Sequence, residues 1–370
     1  MILQELSLTN FKNIADARLT FSHNINGLLG ANGMGKSNLL DAIYYLSFGK
    51  SFTGALDKEI MRRGETFAMA KAIYNRRGQL EELTLGLAEG RPKQFKRQGK
   101  AYRRLSQHIG LFPVVLVSPA DANLVNGEPE VRRRFLDMII AQTDSVYLDN
   151  LIRYTEAVKQ RNRLIKDGAT NPDLFAAIEI SMVMPADYIT RRRAEFVARF
   201  AEIFERRYAE IALTDERPAL IYSSKIAETG QSLDTLLNSY RQRDLAIGYS
   251  TVGPHRDNLD LQINGMPVKT AASQGQQKTF TIAMRLAQYE FLHEAVGLKP
   301  ILLLDDIFDK LDSNRVAHII NVVNNDLFGQ IFITDTNRDH LDSIMQASGA
   351  DYKLWRVDNG RFSPLSDLSK

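Results

Sequence analysis

The chain has no cysteine among its 370 residues. Disulfides and thiolate metal sites are therefore excluded, and a reducing compartment is compatible. It has no apolar run of roughly 18 residues, so no membrane span is expected. The opening Met1-Ile2-Leu3-Gln4-Glu5-Leu6 carries an early acid and no basic region ahead of a long apolar run, so a secretory signal is not expected. A soluble, cytoplasmic protein with no membrane partner is the expectation. A large excess of either charge is also lacking. There are 47 Lys+Arg and 44 Asp+Glu, a net +3, so any nucleic-acid surface must come from where the basic residues sit. Internal repeats and low-complexity segments are absent. His255 stands alone among polar neighbours without metal-ligand spacing, which argues against zinc. What is present is an ordinary apolar fraction, 44%, enough for a sizeable core in one large domain or two.

The stretch around which the chain is organised is Gly30-Ala31-Asn32-Gly33-Met34-Gly35-Lys36-Ser37-Asn38. It fits G-x-x-x-x-G-K-S, the phosphate-binding P-loop. Ile25–Leu29 before it reads as a strand, and Leu39, Leu40, Ile43 and Leu46 after it recur at helical spacing, which is the context the motif requires. Glycines let backbone N–H groups approach phosphate oxygens, and the helix opening near Lys36 adds its positive end. Lys36 reaches β- and γ-phosphates and acts in catalysis, while the Ser37 hydroxyl is placed to ligate Mg²⁺.

In chain order, residues 2–8 and 17–21 read as strands flanking a turn at 10–14, and the P-loop helix ends near Gly49. Residues 68–74 and 81–88 are strands about the turn Asn75–Gly78, and 95–97 and 101–104 form a hairpin about Gln98-Gly99-Lys100. The stretch 91–104 interleaves Phe95 and Tyr102 with basic residues, a pattern able to follow a phosphate backbone. A solvated hairpin with charged edges is its plainer reading. Leu111–Val117 is a buried strand. Helical spacing then predicts 131–140, 146–165 and 186–211, with a break at Gly168–Pro172. Strands at 259–263 and 266–269 flank the hairpin signal Asn264-Gly265. Ser273–Lys278 leads into a helix beginning near Gln276. Ile301–Leu304 is a buried strand ending in Asp305-Asp306, followed by Leu311-Asp312 and a helix carrying Val316, Ile319, Ile320 and Val323. Strands at 331–333 and 352–357 and a short polar tail close the chain.

Four apolar residues ending in Asp305 supply the second half of a P-loop site. Asp305 is placed to hold Mg²⁺ opposite Ser37, and Asp306 to polarise the attacking water. P-loop, helical insert, Ser273-Gln274-Gly275-Gln276, then an apolar strand with two acids is the order of ABC-type ATPases. The sequence resembles the RecF family, bacterial DNA-gap repair ATPases related to SMC proteins, over nearly its whole length. The resemblance is carried by 8–13, the P-loop with Asn32 and Asn38, Ser118-Pro119, Arg132–Asp137, Gly253-Pro254-His255-Arg256-Asp257, Ser273–Lys278 and Leu303–Asp306.

That resemblance implies an α/β ABC-type ATPase head. Mixed parallel and antiparallel sheets would surround the P-loop helix, beside a helical second lobe, with no long coiled coil. Residues 1–115 and 298–370 would form the ATP-binding lobe and 116–297 the mainly helical lobe. It implies ATP and Mg²⁺ as cofactors, with Gly30 to Asn38 binding ATP in one subunit and Ser273, Gln274, Gly275 and Gln276 reaching the γ-phosphate in trans. The partners it implies are gapped or junction duplex DNA, RecR and RecO, RecA indirectly, and a second copy of the chain held by ATP. Two departures stand out. Asp306 occupies the place where transporter-type ATPases have Glu, which suggests slow turnover. Thr334-Asp335-Thr336 stands where they have a His, leaving the switch residue unassigned. The alternatives are a clamp with negligible turnover, another SMC-like ATPase, and a nuclease-coupled ATPase, for which little chain remains after Asp305.

Overall fold

The computed structural model describes residues 1–169, 171–212, 215–307, 327–339, 341–342 and 351–365. The expected Leu311-Asp312 and the helix through Val316–Val323 lie outside the described residues, as does the last part, 366–370, of the polar tail expected after 357. The chain divides into two units, Met1–Ala120 with Gln288–Lys370, and Asp121–Ala287.

The first unit holds two sheets. In the antiparallel one, β1 (Ile2–Phe11), β2 (Ile14–Thr20), β4 (Phe67–Arg76), β5 (Gln79–Ala88), β6 (Gln94–Arg97) and β7 (Lys100–Ala101) run in the order β2-β1-β4-β5-β6-β7. Inward residues alternate along much of the sheet, as Leu6 and Leu8 on β1, Ala68, Ala70 and Ala72 on β4, and Leu83, Leu85 and Leu87 on β5. The other sheet has the order β15-β14-β3-β13-β12-β8, built from β3 (Ile25–Leu29), β8 (Val114–Val117), β12 (Ile301–Asp305), β13 (Ile331–Asp335), β14 (Tyr352–Asp358) and β15 (Arg361–Leu365). It is parallel except for the β14–β15 hairpin. β8, β12 and β13 are buried along their whole length, as parallel strands covered on both faces must be. Helix α1 (Lys36–Phe48) is buried nearly all round, and Leu39, Leu40, Ile43, Tyr45 and Leu46 share one core with residues of both sheets. Gln330 ties the sheets by hydrogen bonds. Its fully buried amide accepts from Leu3 N at 2.7 Å and donates to the carbonyls of Leu3 and Ser22, each at 2.8 Å.

The second unit packs α2 (Pro129–Thr143), α3 (Ser145–Lys166), α4 (Pro172–Ala212) and α5 (Leu233–Ile247) with a small sheet of order β11-β10-β9, made of β9 (Pro218–Ser223), β10 (Asn258–Ile263) and β11 (Met266–Pro267). Helix α6 (Gln274–Val296) follows. No helix among the described residues is long and apolar enough to cross a membrane.

Several bounds differ from the sequence expectation. Helix α4 starts at Pro172 rather than 186 and runs through Pro185. The buried stripe Phe175, Glu179, Met182, Ala186, Ile189 continues across the proline, so packing outweighs the missing N–H. The strand expected from 111 starts at Val114, because Pro113 has no N–H to donate to the ladder. Instead of a strand to 269, β11 stops at Pro267, and Val268–Ala271 forms a helical turn that buries Val268. The presumed polar end after 357 includes β15, turned back at Asn359-Gly360.

Candidate functional site

The loop after β3 is shaped by its neighbours. Gly30 is a close-approach glycine, since a Cβ there would lie 2.3 Å from the Val357 carbonyl oxygen on β14. Gly35 has φ +110°, and its Cβ would sit 2.7 Å from the Asn13 amide oxygen, so both backbone conformation and space demand glycine. Asn13, in the β1–β2 turn, donates from Nδ2 to Met34 O at 3.2 Å and accepts from Asn38 Nδ2 at 2.8 Å. Gly360 N, at the tip of the β14–β15 turn, donates to the same Met34 carbonyl at 2.8 Å. In the sequence Asn13 stands out only as part of a motif, and nothing marks Gly360 for a role. The Asn359-Gly360 turn signal was visible, but its proximity to residue 34 was not.

Lys36 Nζ donates to Gly30 O at 2.6 Å and to Ala31 O at 3.0 Å. Burial pushes its ammonium down from the ordinary lysine value, against the attraction of Asp306, Asp305 and Asp335. The Ser37 hydroxyl donates to Asp305 Oδ1 at 2.8 Å, and the Thr334 hydroxyl donates to the same oxygen at 2.8 Å. Parallel pairing of β12 with β13 sets Asp305 beside Thr334. Burial raises the Asp305 carboxyl above the ordinary aspartate range, while the two hydroxyls oppose the rise by favouring the carboxylate. The Asp306 backbone is left-handed, φ +49°, and its N–H donates to Thr334 Oγ1 at 2.9 Å. Asn32, Gly33, Gly35, Lys36, Ser37, Asn38, Asp306 and Thr334 line one cleft. Ala31 and Met34 contribute backbone carbonyls, Ala31 O to Lys36 and Met34 O to Asn13 and Gly360. Thr334, which the sequence reading left without a role, is thus the residue that joins the two acids.

The donor set suits a magnesium–phosphate ligand. Ser37 and Asp305 offer adjacent hard oxygens, 2.8 Å apart, leaving further coordination to water and phosphate, the usual way Mg²⁺ is held.

In the second unit Ser273 is exposed at the start of α6, and Ser273-Gln274-Gly275-Gln276 forms a reciprocal cap. Gln276 N donates to Ser273 Oγ at 3.3 Å, and Ser273 N donates to Gln276 Oε1 at 2.6 Å. Gln276 Nε2 is anchored on Glu216 at 2.7 Å. The Gly253–Asp257 motif is scaffolding. Fully buried Arg193 donates to Pro254 O at 2.7 Å and Asp257 Oδ2 at 3.1 Å, and also pairs with Asp137 at 2.9 Å. His255 Nδ1 meets the Tyr154 hydroxyl at 2.8 Å.

Residues 2–354 match the model of the RecF/RecN/SMC N-terminal domain family. A protein of Phocaeicola vulgatus named DNA replication and repair protein RecF is 45% identical, with all of both chains covered. A protein of the same name from Parabacteroides distasonis is 44% identical over 99% of this chain and all of that one. A solved structure described as the recombination mediator protein RecF with ATP in the RecFOR pathway superposes with a TM-score of 0.88 at 27% identity, covering 99% of this chain and 98% of that chain. An Smc head domain from Pyrococcus furiosus matches with a TM-score of 0.58 at 16% identity, covering 99% of this chain and 96% of that chain, a likeness of fold alone.

Proposed function

The chain belongs to the RecF family of DNA replication and repair proteins, and from that premise we propose an ATP-driven DNA-binding ATPase of recombinational gap repair and replication-fork maintenance. The observation that carries this reading is the Asp305 carboxylate, reached by the Ser37 hydroxyl from the P-loop side and by Thr334 from β13.

The loop amides and the N-terminus of α1 bind the phosphates of ATP, and Lys36 exchanges its two loop carbonyls for β- and γ-phosphate oxygens. Ser37 and Asp305 would hold Mg²⁺, which would supply charge neutralisation to the phosphates. Asp306 accepts the proton of the attacking water. A second copy of the chain completes the site head to tail through Ser273, Gln274, Gly275 and Gln276. The Ser273 oxygen already accepts from Gln276 N, so its own proton is left to donate to the γ-phosphate. ATP then favours the closed dimer by the contacts it makes only there, and hydrolysis removes them. The short side chain of Asp306 suits slow, DNA-stimulated turnover. Gapped or junction duplex DNA, RecR and RecO, and through them RecA, are the partners this reading assigns in the cytoplasm, in keeping with relatives described as recombination mediators of the RecFOR pathway.

Lys36→Arg and Ser273→Arg test it. In sedimentation with ATP and duplex DNA, both variants are expected to remain monomeric, and Ser273→Arg to keep nucleotide binding while losing hydrolysis by tenfold or more (about 1.4 kcal/mol or more of barrier). A Ser273→Arg chain that dimerises and hydrolyses ATP like the wild type would refute the shared site. The same short Asp306 side chain also favours a second reading, a nucleotide-gated clamp with negligible turnover. Steady-state ATPase with and without duplex DNA separates the two.

A further inference from the structure

The stretch 91–104 contains seven basic residues and no acid. It spans β6 and β7 at the free edge of the antiparallel sheet. Two of its cations serve the fold: Lys93 is held by Gly49 O at 2.8 Å and Asp57 at 3.3 Å, and Arg97 by Glu81 at 2.7 Å. The other five, Arg91, Lys96, Lys100, Arg103 and Arg104, have no carboxylate partner among the described residues, and all but Lys96, which is half-buried, are exposed.

The aromatic residues between them face the other way. Phe95 is buried with its ring 4.5 Å from that of His108, and Tyr102 lies 5.1 Å from the same ring with its hydroxyl on His108 Nδ1 at 3.1 Å. No ring of this stretch is therefore offered for base stacking, which removes the usual means of gripping single strands. What remains is unpaired positive charge, the means of following a phosphate backbone regardless of sequence. Edge defence does not account for it. The edge strand β7 is only Lys100–Ala101, and Arg91, Arg103 and Arg104 lie outside any strand, where there is no ladder to protect.

We propose that this hairpin edge is a contact surface for the phosphate backbone of duplex DNA. The proposal rests on the DNA-binding reading above and places part of that contact on residues remote in sequence from every ATP motif. The test is fluorescence anisotropy of a blunt duplex with the full chain and ATP across a salt series. Each lost phosphate contact lowers the slope of log K against log salt by about 0.9. Lys100→Ala/Arg103→Ala/Arg104→Ala together should lower it by about 2 to 3, equally on duplexes of unrelated sequence. Arg103→Lys/Arg104→Lys, which keeps the charge, should retain the wild-type slope. A triple alanine chain with wild-type slope and affinity overturns the proposal. So does a lysine pair that loses as much as alanine, since the arginines would then act through packing. A wild-type chain with no salt-dependent duplex binding removes the DNA-binding reading itself, and the proposal with it.

Discussion

Thr334 is a single hydroxyl with two duties. It donates to Asp305 Oδ1 and accepts from Asp306 N, so it sets the carboxylate that meets Ser37 and the turn that aims the next acid. Thr334→Val keeps the shape and removes both bonds. A hydrogen bond to a charged group contributes about 1.5–3 kcal/mol, so kcat is expected to fall roughly tenfold to a hundredfold with a smaller change in KM, while Thr334→Ser keeps most of the rate. Steady-state kinetics on the three chains measures this, and equal loss in serine and valine chains would show that the methyl, not the hydroxyl, matters. None of this was legible from the run Thr334-Asp335-Thr336. The sequence showed only that no histidine stood there. Which oxygen faced Asp305 depended on the register of β12 against β13.

At the level of elements, α1 is the piece on which the first unit is built, and the ring of His108 packs near its C-terminal end. Its Nε2 meets Leu46 O at 2.8 Å, and burial pulls its pKa down to about 4. The unfolded chain takes up that proton near pH 6.5, so between about 6.5 and 4 the unfolded state binds more protons. The contribution of His108 is therefore complete above that window and is lost as pH falls through it, by about 3 kcal/mol at most. Denaturant unfolding at pH 7 and pH 5 should show His108→Phe losing less stability on acidification than the wild type. An identical pH difference in both chains would contradict the assignment. His255 in the second unit is lowered to about 4 for the same reason and adds a drop of the same sign. Periodicity located α1 because glycines bound it at both ends. It placed the start of α4 late because a proline at 185 reads as a break unless the buried stripe on its two sides is known to face one core.

For the whole molecule, the proposed dimer makes a prediction that no single-chain mechanism shares. A Lys36→Arg chain mixed with a Ser273→Arg chain forms a head-to-tail pair in which one site combines an intact P-loop with an intact Ser273–Gln276 segment. The other site carries both lesions. Since neither variant pairs with itself, every dimer in an equimolar mixture is mixed, and ATPase activity is expected to recover toward about half of the wild-type rate per chain, one active site in each dimer. Titration of one variant into the other measures it. If the mixture never exceeds the sum of its parts, the sites are not shared.

Read alone, the sequence marks the P-loop, the apolar strand that ends in two acids, the family and the mixed α/β class. These are legible because a P-loop is contiguous and because buried parallel strands are unbroken apolar runs. Only the tertiary structure decided what surrounds the loop: Asn13 and Gly360 meeting on the Met34 carbonyl, Val357 forcing glycine at position 30, and Thr334 joined to Asp305. It also showed Phe95 to be core and Tyr102 to pack against that core, which leaves their basic neighbours as a surface of charge alone. These pairings join residues up to 327 positions apart. Spacing along the chain reports which face of an element is buried, and only the packing of sheets reports which distant groups come within hydrogen-bond reach.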